Sequence, residues 1–450
     1  MQITVAYSLI IFVLKDCVKK IKISHQYAEK YKNYCIFDSK EIQFINKIKR
    51  KTMSKRTIVA MPGDGIGKVV LDNAIKVLDA AGFEANYVEG DIGWEFWCKE
   101  GNPLPQRTID LIEKYKIGLF GAITSKPKDE AFEELAPELK EKGLVYSSPI
   151  VGLRQHFGLD ICARPCKTYS GNPLNFIRRG QGDIIEEPNI DVVIYRQNTE
   201  GLYGGVEWSN PPAQVYDALM THPKFKKNFG STPKEEISVS TRIFTKKATE
   251  RILRAAFEHA KEFGYKSVTV CEKPNVIRET SGMMYKMAQQ IQKSDYPEIE
   301  LWNTNIDAQM MWLTKNPENY GVIVAGNMFG DIVSDGFAGL IGGLGFACSA
   351  QINAEKGIGV FEPTHGSAPK YADYPVSIVN PIAMIESACM MLDFIQEKDI
   401  AAKIRKAVAE VIAEGKVRTY DMMKMTGSAD VVEKGAASTD EMTQAIIAKL

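Results

Sequence analysis

The chain has 450 residues, 45% of them hydrophobic, and its 56 Lys and Arg residues balance its 56 Asp and Glu residues. This length suits about two or three domains with a large buried core, and the zero net charge argues against bulk attraction to nucleic acid or to an anionic membrane. The eight cysteines are dispersed without a CxxC pair, which is typical of reduced thiols and predicts a cytoplasmic protein.

Residues 1–52 differ in pattern from the rest of the chain. A ten-residue apolar run over 5–14 is too short to span a bilayer. It lacks both a preceding basic region and a following small-residue cleavage site, so a secretory signal is unconvincing. We interpret residues 1–52 as an extension outside the fold that comes from an upstream start, with the working protein beginning at Met53. An organelle-targeting segment is the alternative.

From residue 53 onward, short β-rich runs alternate with helical patterns. Strands are predicted over 57–61, 117–123, 192–195, 267–271 and 322–325. Helices are predicted over 67–81, 245–263, 282–293, 380–396 and 400–414. This alternation predicts an α/β protein with largely buried sheets. Residues 209–235 lack a helical period and are interpreted as an irregular excursion that could serve as a dimer arm.

The motif PGDGIG, residues 62–67, joins the first predicted strand to the first predicted helix. A helix N-terminus at this point would suit a phosphate. However, its three glycines are each two residues apart, which departs from the GxGxxG spacing of dinucleotide-binding turns. A tight structural turn is therefore the stronger interpretation.

Asp331 and Asp335 are the most informative pair of acidic residues. They are four residues apart in an apolar segment, so a helix would place both carboxylates on one face, about 6 Å apart at Cβ. Burying two like charges is costly unless a cation lies between them, and Mg²⁺ or Mn²⁺ suits oxygen ligands. The alternative is that both aspartates are solvated residues of a first helical turn.

Three arginines, Arg154, Arg164 and Arg196, lie in or beside apolar runs. Arginine is seldom left unpaired in such a run, and its planar group binds carboxylates in a bidentate manner. The three together could bind a di- or tricarboxylate, whereas structural salt bridges are the alternative for each one alone.

Two further segments contain candidate chemical groups. Tyr203 and Lys273 can serve as acid–base partners if their surroundings shift their pKa values, although either one alone is an ordinary residue. In the segment EPTHGSAPKY, residues 362–371, a glycine permits close approach of a ligand and Lys370 could neutralise a phosphate. A plain loop is the alternative for this segment.

Together these motifs resemble the isocitrate and 3-isopropylmalate dehydrogenase family of decarboxylating β-hydroxyacid oxidoreductases. The matching strings occur in the family's order: PGDGIG at 62–67, GLR at 152–154, ARP at 163–165, YRQNTEGLY at 195–203, NMFGDIVSD at 327–335 and HGSAP at 365–369. The resemblance implies the family's α/β fold, a cofactor site without the Rossmann fingerprint, and a homodimer with shared active sites. The implied large domain is discontinuous, 53–159 and 342–450. The implied small domain, 160–341, includes a dimer clasp at about 201–241.

The resemblance also implies a role for each matching residue. Tyr203 would be the proton donor, and Lys273 would assist removal of the hydroxyl proton. The family's equivalents of Lys273 and Asp307 reach across from the partner subunit. The implied ligands of Mg²⁺ or Mn²⁺ are Asp307, Asp331 and Asp335. The implied substrate-binding residues are Ser148, Arg154, Arg164 and Arg196. The implied cofactor-binding residues are Thr124, Asn275, Glu362, His365, Gly366, Ala368, Lys370, Tyr371, Asn380, Tyr420 and Lys424.

Two lysines and two tyrosines favour NADP as the cofactor. Lys370 and Tyr371 follow HGSAP, where NADP-dependent members carry such a pair, while NAD-dependent members tend to have an acidic residue and an aliphatic one. Tyr420 and Lys424 resemble the second half of the clamp on the 2′-phosphate. Lys424 in place of the arginine seen in some members loses a bidentate group, which leaves NAD use open.

The segments after Arg164 and around Trp208 look closer to bacterial isocitrate enzymes and favour isocitrate as the tricarboxylate substrate. Against this, Ile150 stands where isocitrate enzymes typically place Asn, and the string SSPIV at 147–151 also resembles homoisocitrate dehydrogenases. Homoisocitrate with NAD is therefore the main alternative, followed by 3-isopropylmalate or tartrate. A non-catalytic regulatory subunit is disfavoured, because such subunits usually lose part of the Tyr, Lys and Asp set that is complete in this chain.

Overall fold

A computed structural model describes residues 55–450, and the predictions for residues 1–52 lie outside the described residues. Residues 56–450 form an α/β unit on a ten-stranded mixed sheet, which confirms the predicted fold class. The strands are β1 (Arg56–Gly63), β2 (Ala85–Glu89), β3 (Ile117–Ala122), β4 (Ile161–Lys167), β5 (Arg178–Arg179), β6 (Ile185–Glu186), β7 (Asp191–Gln197), β8 (Glu207–Ser209), β9 (Ser238–Ser240), β10 (Ser267–Glu272), β11 (Glu300–Asn305), β12 (Val322–Ala325), β13 (Cys348–Asn353) and β14 (Ile358–Pro363).

The helices are distributed between and after the strands along the chain, singly or in groups of two to four. They are α1 (Gly67–Ala81), α2 (Trp94–Glu100), α3 (Gln106–Tyr115), α4 (Lys128–Glu133), α5 (Pro137–Lys140), α6 (Pro149–Phe157), α7 (Ala213–Met220), α8 (Pro223–Phe229), α9 (Lys246–Phe263), α10 (Thr280–Asp295), α11 (Ile306–Lys315), α12 (Asn327–Leu340), α13 (Pro369–Ala372), α14 (Ile382–Phe394), α15 (Lys398–Glu414) and α16 (Thr439–Ile447). Each strand and helix predicted from the sequence is present, with bounds that agree within two residues.

The large sheet has the strand order β11-β10-β12-β7-β4-β13-β14-β3-β1-β2. Strands β7, β12, β10 and β11 are parallel to one another, and so are β14, β3, β1 and β2. The antiparallel strands β4 and β13 join these two halves. Helices cover the sheet, so that β3, β10 and β12 are buried along their whole length, as expected for parallel strands.

The turn between β1 and α1 is built by close backbone contacts. A Cβ at Gly63 would lie 1.9 Å from the carbonyl oxygen of Ala122, and one at Gly65 would lie 2.2 Å from that of Ser367. Both positions also have positive φ, which favours glycine. The glycines of PGDGIG are therefore needed to bring three segments together, which agrees with a structural turn.

The prediction that residues 209–235 are irregular was wrong in part, because α7 and α8 lie there. Neither helix has a fully buried residue, so no apolar stripe marks a helical period. Only two residues separate the end of α7 from Pro223, which begins α8, and Phe225 packs edge-on against Tyr216 at 6.1 Å between ring centroids. The predicted dimer arm, clasp and domain boundaries stay predictions. No helix within residues 55–450 is long and apolar enough to cross a membrane.

Candidate active site

One face of the large sheet carries polar side chains across β7, β4, β13 and β14. Arg164 and Arg196 are diagonal neighbours in the β4–β7 register, and Gln351 and Glu362 are diagonal neighbours in the β13–β14 register. Cys162 lies opposite Arg196 on one side and opposite Gln351 on the other. Opposed residues and those two apart share a face, so this register gathers both arginines and their polar neighbours on one surface.

Helix α12 brings two carboxylates against these arginines. Arg164 Nη1 lies 3.1 Å from Asp331 Oδ1, 3.1 Å from Asp335 Oδ1 and 2.8 Å from Ser334 Oγ. Arg196 Nη1 also donates to Asp331, and Arg196 Nε donates to Asn327 Oδ1 over 2.9 Å. The helix therefore places Asp331 and Asp335 on one face, as predicted, with a positive charge between them.

The electrostatics of this group follow from burial opposed by pairing. The surrounding protein removes part of the water from around Asp335, which raises the pKa of this partly exposed carboxyl, and the charge of Arg164 opposes that shift. Burial likewise lowers the pKa of Arg196. Arg164 Nε is buried without a hydrogen-bond partner among the described residues. A buried donor without an acceptor is energetically costly. An anionic ligand could accept a hydrogen bond from Arg164 Nε, for which the described residues offer no acceptor.

Arg154 joins this surface from α6. Its Nε donates to Gln351 Oε1 over 2.6 Å, and its Nη2 lies 3.7 Å from Glu362 Oε1. Gln351 in turn donates to Glu362 and accepts from Asn198 Nδ2 over 3.0 Å. Burial raises the pKa of Glu362, and Arg154 opposes this shift. Glu362, predicted to bind cofactor, thus contacts Arg154, which is predicted to bind substrate.

Tyr203 lies beside the arginine surface in a short 3₁₀ turn, Leu202–Gly204. The guanidinium of Arg196 is 5.7 Å from the centre of its ring, and the Tyr203 side chain is 48% exposed. Ser148 is the N-cap of α6. Two residues earlier, Tyr146 Oη donates to the carbonyl of Thr124 over 2.9 Å, which places the Ser148 segment beside a predicted cofactor residue.

Lys273 and Asp307 form a pair of their own. Lys273 directly follows β10 and donates from Nζ to Asp307 Oδ1 at the start of α11. That hydrogen bond lowers the pKa of Asp307. Within residues 55–450, no three acidic, His or Cys side chains meet as a metal-binding group. The structure thus brings Asp331 and Asp335 together, but not Asp307 with them.

The Asp331–Asp335 pair fits a divalent cation in charge and ligand type. Both carboxylates already hold the cationic group of Arg164 between them, and Asp335 is 65% exposed at its side chain. Two carboxylates are a typical protein contribution to a Mg²⁺ site. Among residues 55–450, these two aspartates are therefore the carboxylates that one chain brings together on this surface.

The predicted cofactor residues fall into two groups, and the first surrounds the PGDGIG turn. Asp64 accepts from the backbone N–H of Thr124 over 2.8 Å, and Thr124 Oγ1 lies 2.6 Å from Ser367 Oγ. The loop after β14 therefore packs against the turn after β1. In that loop His365 Nε2 is buried without a partner among the described residues, and burial lowers the pKa of His365. Gly366 and Ala368 flank Ser367, and Ala368 has φ 38.

The second group lies between α13 and the segment after α15. The rings of Tyr371 and Tyr420 are 5.8 Å apart, and Lys370 Nζ lies 5.5 Å from the Tyr371 ring. Burial raises the pKa of Tyr420, with a further contribution from Tyr371. Lys424 is exposed on the same segment as Tyr420. The structure thus brings Tyr371 and Tyr420 together, which are one residue from each half of the predicted phosphate clamp.

The last two predicted cofactor residues are Asn380, which bonds to the neighbour of Tyr420 in the chain, and Asn275. Asn380 is buried and donates from Nδ2 to Asp421 Oδ2 over 3.1 Å. Asn275 is exposed two residues after Lys273.

Several residues that hold the site were missed by the sequence analysis. Gln351 and Asn198 orient Arg154, and Asn327 orients Arg196. The alternation of Ser349, Gln351 and Asn353 with apolar residues in β13 was an available signal of a polar face. Neither Asn198 nor Asn327 stands out in the sequence by type or spacing.

The chain is similar to several known proteins. The family model described as isocitrate/isopropylmalate dehydrogenase matches residues 57–446. Protein DlpA of Legionella pneumophila is 39% identical over 394 residues, which are 87% of this chain but only 58% of that protein. The homoisocitrate dehydrogenase of Methanocaldococcus jannaschii is 38% identical over 80% of this chain and 91% of its own length. The crystal structure of isocitrate dehydrogenase from Methylococcus capsulatus has a TM-score of 0.70 at 33% identity, and covers 88% of this chain and 99% of that chain.

Proposed function

The chain belongs to the isocitrate/isopropylmalate dehydrogenase family, and from this premise we propose that it oxidises isocitrate to 2-oxoglutarate and CO₂ with hydride transfer to NADP. Enzymes of this family are oxidoreductases that use a nicotinamide dinucleotide and a divalent metal.

The observation that carries the proposal is the surface shared by Arg154, Arg164 and Arg196. In the described structure these three cations face the carboxylates of Asp331 and Glu362. A tricarboxylate offers several carboxylates that planar guanidinium groups bind in a bidentate manner. The unpartnered Nε of Arg164 supplies one donor for such a ligand.

Asp331 and Asp335 are proposed to hold Mg²⁺ or Mn²⁺, together with Asp307. When bound, a divalent ion lowers the pKa of the substrate hydroxyl and stabilises negative charge on that oxygen. Because Asp307 and its partner Lys273 lie apart from Asp331 within one chain, we propose that a second copy of the chain contributes this pair. The site would then be completed in a homodimer.

Two side chains are proposed to move protons. Lys273 would assist removal of the proton from the substrate hydroxyl, and this permits hydride transfer from the carbon that bears the hydroxyl. Tyr203 would supply a proton to the carbon that loses CO₂. Its exposed position beside Arg196 suits a group that meets a bound carboxylate substrate.

Lys370, Tyr371, Tyr420 and Lys424 are proposed to bind the 2′-phosphate of NADP. The contacts of Lys370 and Tyr420 with Tyr371 place one cation and two aromatic rings side by side. A lysine there attracts the additional phosphate, whereas an acidic side chain would repel it. Thr124, Asn275, His365, Gly366, Ala368 and Asn380 are proposed to bind the rest of the nucleotide.

Homoisocitrate dehydrogenase activity is the second candidate, and it is favoured by Ile150. This side chain packs with Leu153 in an apolar core cluster and is 9% exposed, so α6 offers no amide donor at that position. The 38% identical relative named homoisocitrate dehydrogenase supports the same alternative.

The experiment is a steady-state assay at 340 nm. The full chain would be given isocitrate, homoisocitrate or 3-isopropylmalate, each with NADP⁺ and with NAD⁺, in Mn²⁺ and again in excess EDTA. We expect the highest kcat/KM with isocitrate and NADP⁺ and no turnover in EDTA. A higher kcat/KM for homoisocitrate would favour the second candidate, and turnover in EDTA would contradict the metal assignment.

A further inference from the structure

Glu272 is a buried carboxylate at the meeting point of several segments of the candidate site. It is the last residue of β10, directly before Lys273, and its side chain is fully buried. Its oxygens accept from Arg242 Nη2 over 2.7 Å, from Ser281 Oγ over 2.6 Å and from the backbone N–H of Gly326 over 2.7 Å. None of these contacts belongs to the roles assigned above.

The contact with Gly326 fixes the start of the helix that bears the paired aspartates. Gly326 is the N-cap of α12, and a Cβ there would lie 2.6 Å from Glu272 Oε1 and 2.6 Å from the ring of Phe244. Only a glycine permits this approach without displacing a buried carboxylate and a ring. The placement of α12, and with it the placement of Asp331, therefore depends on Glu272.

The contact with Arg242 links Glu272 to the segment that bears Tyr203. The guanidinium of Arg242 lies 4.5 Å from the centre of the Phe244 ring and 4.9 Å from that of Phe329 on α12. Its neighbour in the chain, Ile243, accepts from the N–H of Gly201, which is two residues before Tyr203. The loop of Tyr203 is thereby attached to the same buried pair.

The contact with Ser281 completes the group at the start of α10. Arg242 Nη1 also donates to Ser281 Oγ over 2.9 Å, and the backbone N–H of Lys273 lies 3.4 Å from the same oxygen. Three segments with different proposed chemical tasks thus share one network. Removing the carboxylate would leave a half-buried arginine and a buried N–H without their acceptor, which is costly.

We propose that Glu272 is a positioning residue, which through Arg242, Ser281 and Gly326 sets the segments of Tyr203, Lys273 and Asp331 relative to one another. The inference rests on the proposed function for the roles of those three residues. It predicts a loss in turnover rather than in substrate binding, because the arginines that would bind substrate are held by Gln351 and Asn327 instead.

The test compares Glu272→Gln with the matched variant Glu386→Gln. Glu386 is also a buried carboxylate, and it accepts from the hydroxyl of Tyr169 over 2.7 Å and from Arg405 Nε over 3.2 Å. None of its described contacts reaches the segments of Tyr203, Lys273 or Asp331. We expect Glu272→Gln to lower kcat by about 30- to 100-fold with KM within about threefold, since small displacements of reacting groups reduce turnover strongly. Glu386→Gln should leave both constants within about threefold of the unmodified chain.

A second readout does not depend on activity. Hydrogen exchange should lose protection in Glu272→Gln at the N–H of Gly326 and over 273–281, whereas Glu386→Gln should leave both unchanged. Equal kcat in the two variants, or unchanged exchange in Glu272→Gln, would overturn the proposal. If the unmodified chain turns over neither isocitrate, homoisocitrate nor 3-isopropylmalate, the proposed function fails. Hydrogen exchange would still test whether Glu272 holds these segments together.

Ser281→Ala provides a milder change if Glu272→Gln does not fold. It removes one donor to Glu272 while keeping the carboxylate and its contact with Arg242. We expect about a threefold to tenfold fall in kcat without a rise in KM. A Ser281→Ala variant with unmodified kcat would contradict the proposal.

Discussion

The guanidinium of Arg164 lies 3.1 Å from the carboxylate of Asp335, so the cation that pairs with this aspartate comes from the neighbouring strand β4. Arg164 makes the same approach to Asp331. An arginine proposed for substrate and two aspartates proposed for metal therefore occupy one electrostatic unit. We expect a carboxylate of the bound substrate to pair with Arg164, and the divalent ion to be coordinated by Asp331 and Asp335.

Asp331→Asn tests this division. The variant should fold, because Asn keeps the size of the side chain and α12 is held by other buried contacts. Turnover should fall by about 10²–10³-fold or more, since one carboxylate of the metal pair is lost. Steady-state kinetics as a function of Mn²⁺ concentration would measure this, with Asp129→Asn on the exposed face of α4 as the control. Unchanged turnover and Mn²⁺ dependence in Asp331→Asn would contradict the assignment.

Gln351→Leu tests how Arg154 is held. Gln351 is fully buried and accepts from Arg154 Nε and Asn198 Nδ2. Leucine would leave both donors without this acceptor, so we expect about 1–3 kcal/mol of lost stability and a KM for the tricarboxylate about tenfold higher. Urea unfolding and steady-state kinetics would measure the two effects. A normal KM together with the stability loss would show that Arg154 does not bind substrate.

Lys370→Asp tests the nucleotide assignment. The substituted carboxylate would repel a 2′-phosphate and would be tolerated by a free ribose hydroxyl. We expect the ratio of kcat/KM for NADP⁺ over NAD⁺ to fall about 100-fold or more. Lys356→Asp, on the turn between β13 and β14, is the matched control and should leave the ratio unchanged. The assignment fails if both variants keep the original ratio.

His259 predicts an acid-sensitive step in stability. It lies 4.4 Å from the Phe263 ring and 5.7 Å from the Tyr265 ring, and burial lowers its pKa to about 4 from 6.5. The unfolded chain binds a proton below about pH 6.5 and the native chain does not, so stability falls as the pH drops from 6.5 toward 4. This histidine should account for about 2 kcal/mol of that loss between pH 6.5 and 4.5. Urea unfolding of His259→Phe should show a shallower dependence on pH, and an identical dependence would contradict the assignment.

The sequence predicted regular elements well where a periodic apolar face and a left-handed glycine mark them. Helix α1 is an example, because its apolar residues repeat at helical spacing and Gly82 ends it with φ 91. Helices α7 and α8 were missed because none of their residues is fully buried. Their sequences therefore carry no periodic apolar face that would distinguish them from a loop. Periodicity detects the helices that pack on a core rather than those that lie at the surface.

The sequence indicated which residues belong to the candidate site, but not which of them pair with one another. The arginines and aspartates stand out because charged residues in apolar runs need compensation. Their pairing across 167 and 171 residues of chain, Arg164 with Asp331 and Asp335, depends on the antiparallel join of β4 and β7 and on the docking of α12. Glu272 was not singled out, since a glutamate at the end of a strand gives no sign of the donors that meet there.

A competition experiment tests the central claim most directly. The full chain would receive equal concentrations of isocitrate, homoisocitrate and 3-isopropylmalate with limiting NADP⁺ and Mn²⁺, and the 2-oxo acids formed would be identified by mass spectrometry. Because competing substrates are consumed in proportion to kcat/KM, we predict that 2-oxoglutarate is the dominant product and that Lys273→Met forms none. Dominance of 2-oxoadipate or of 4-methyl-2-oxopentanoate would contradict the isocitrate assignment.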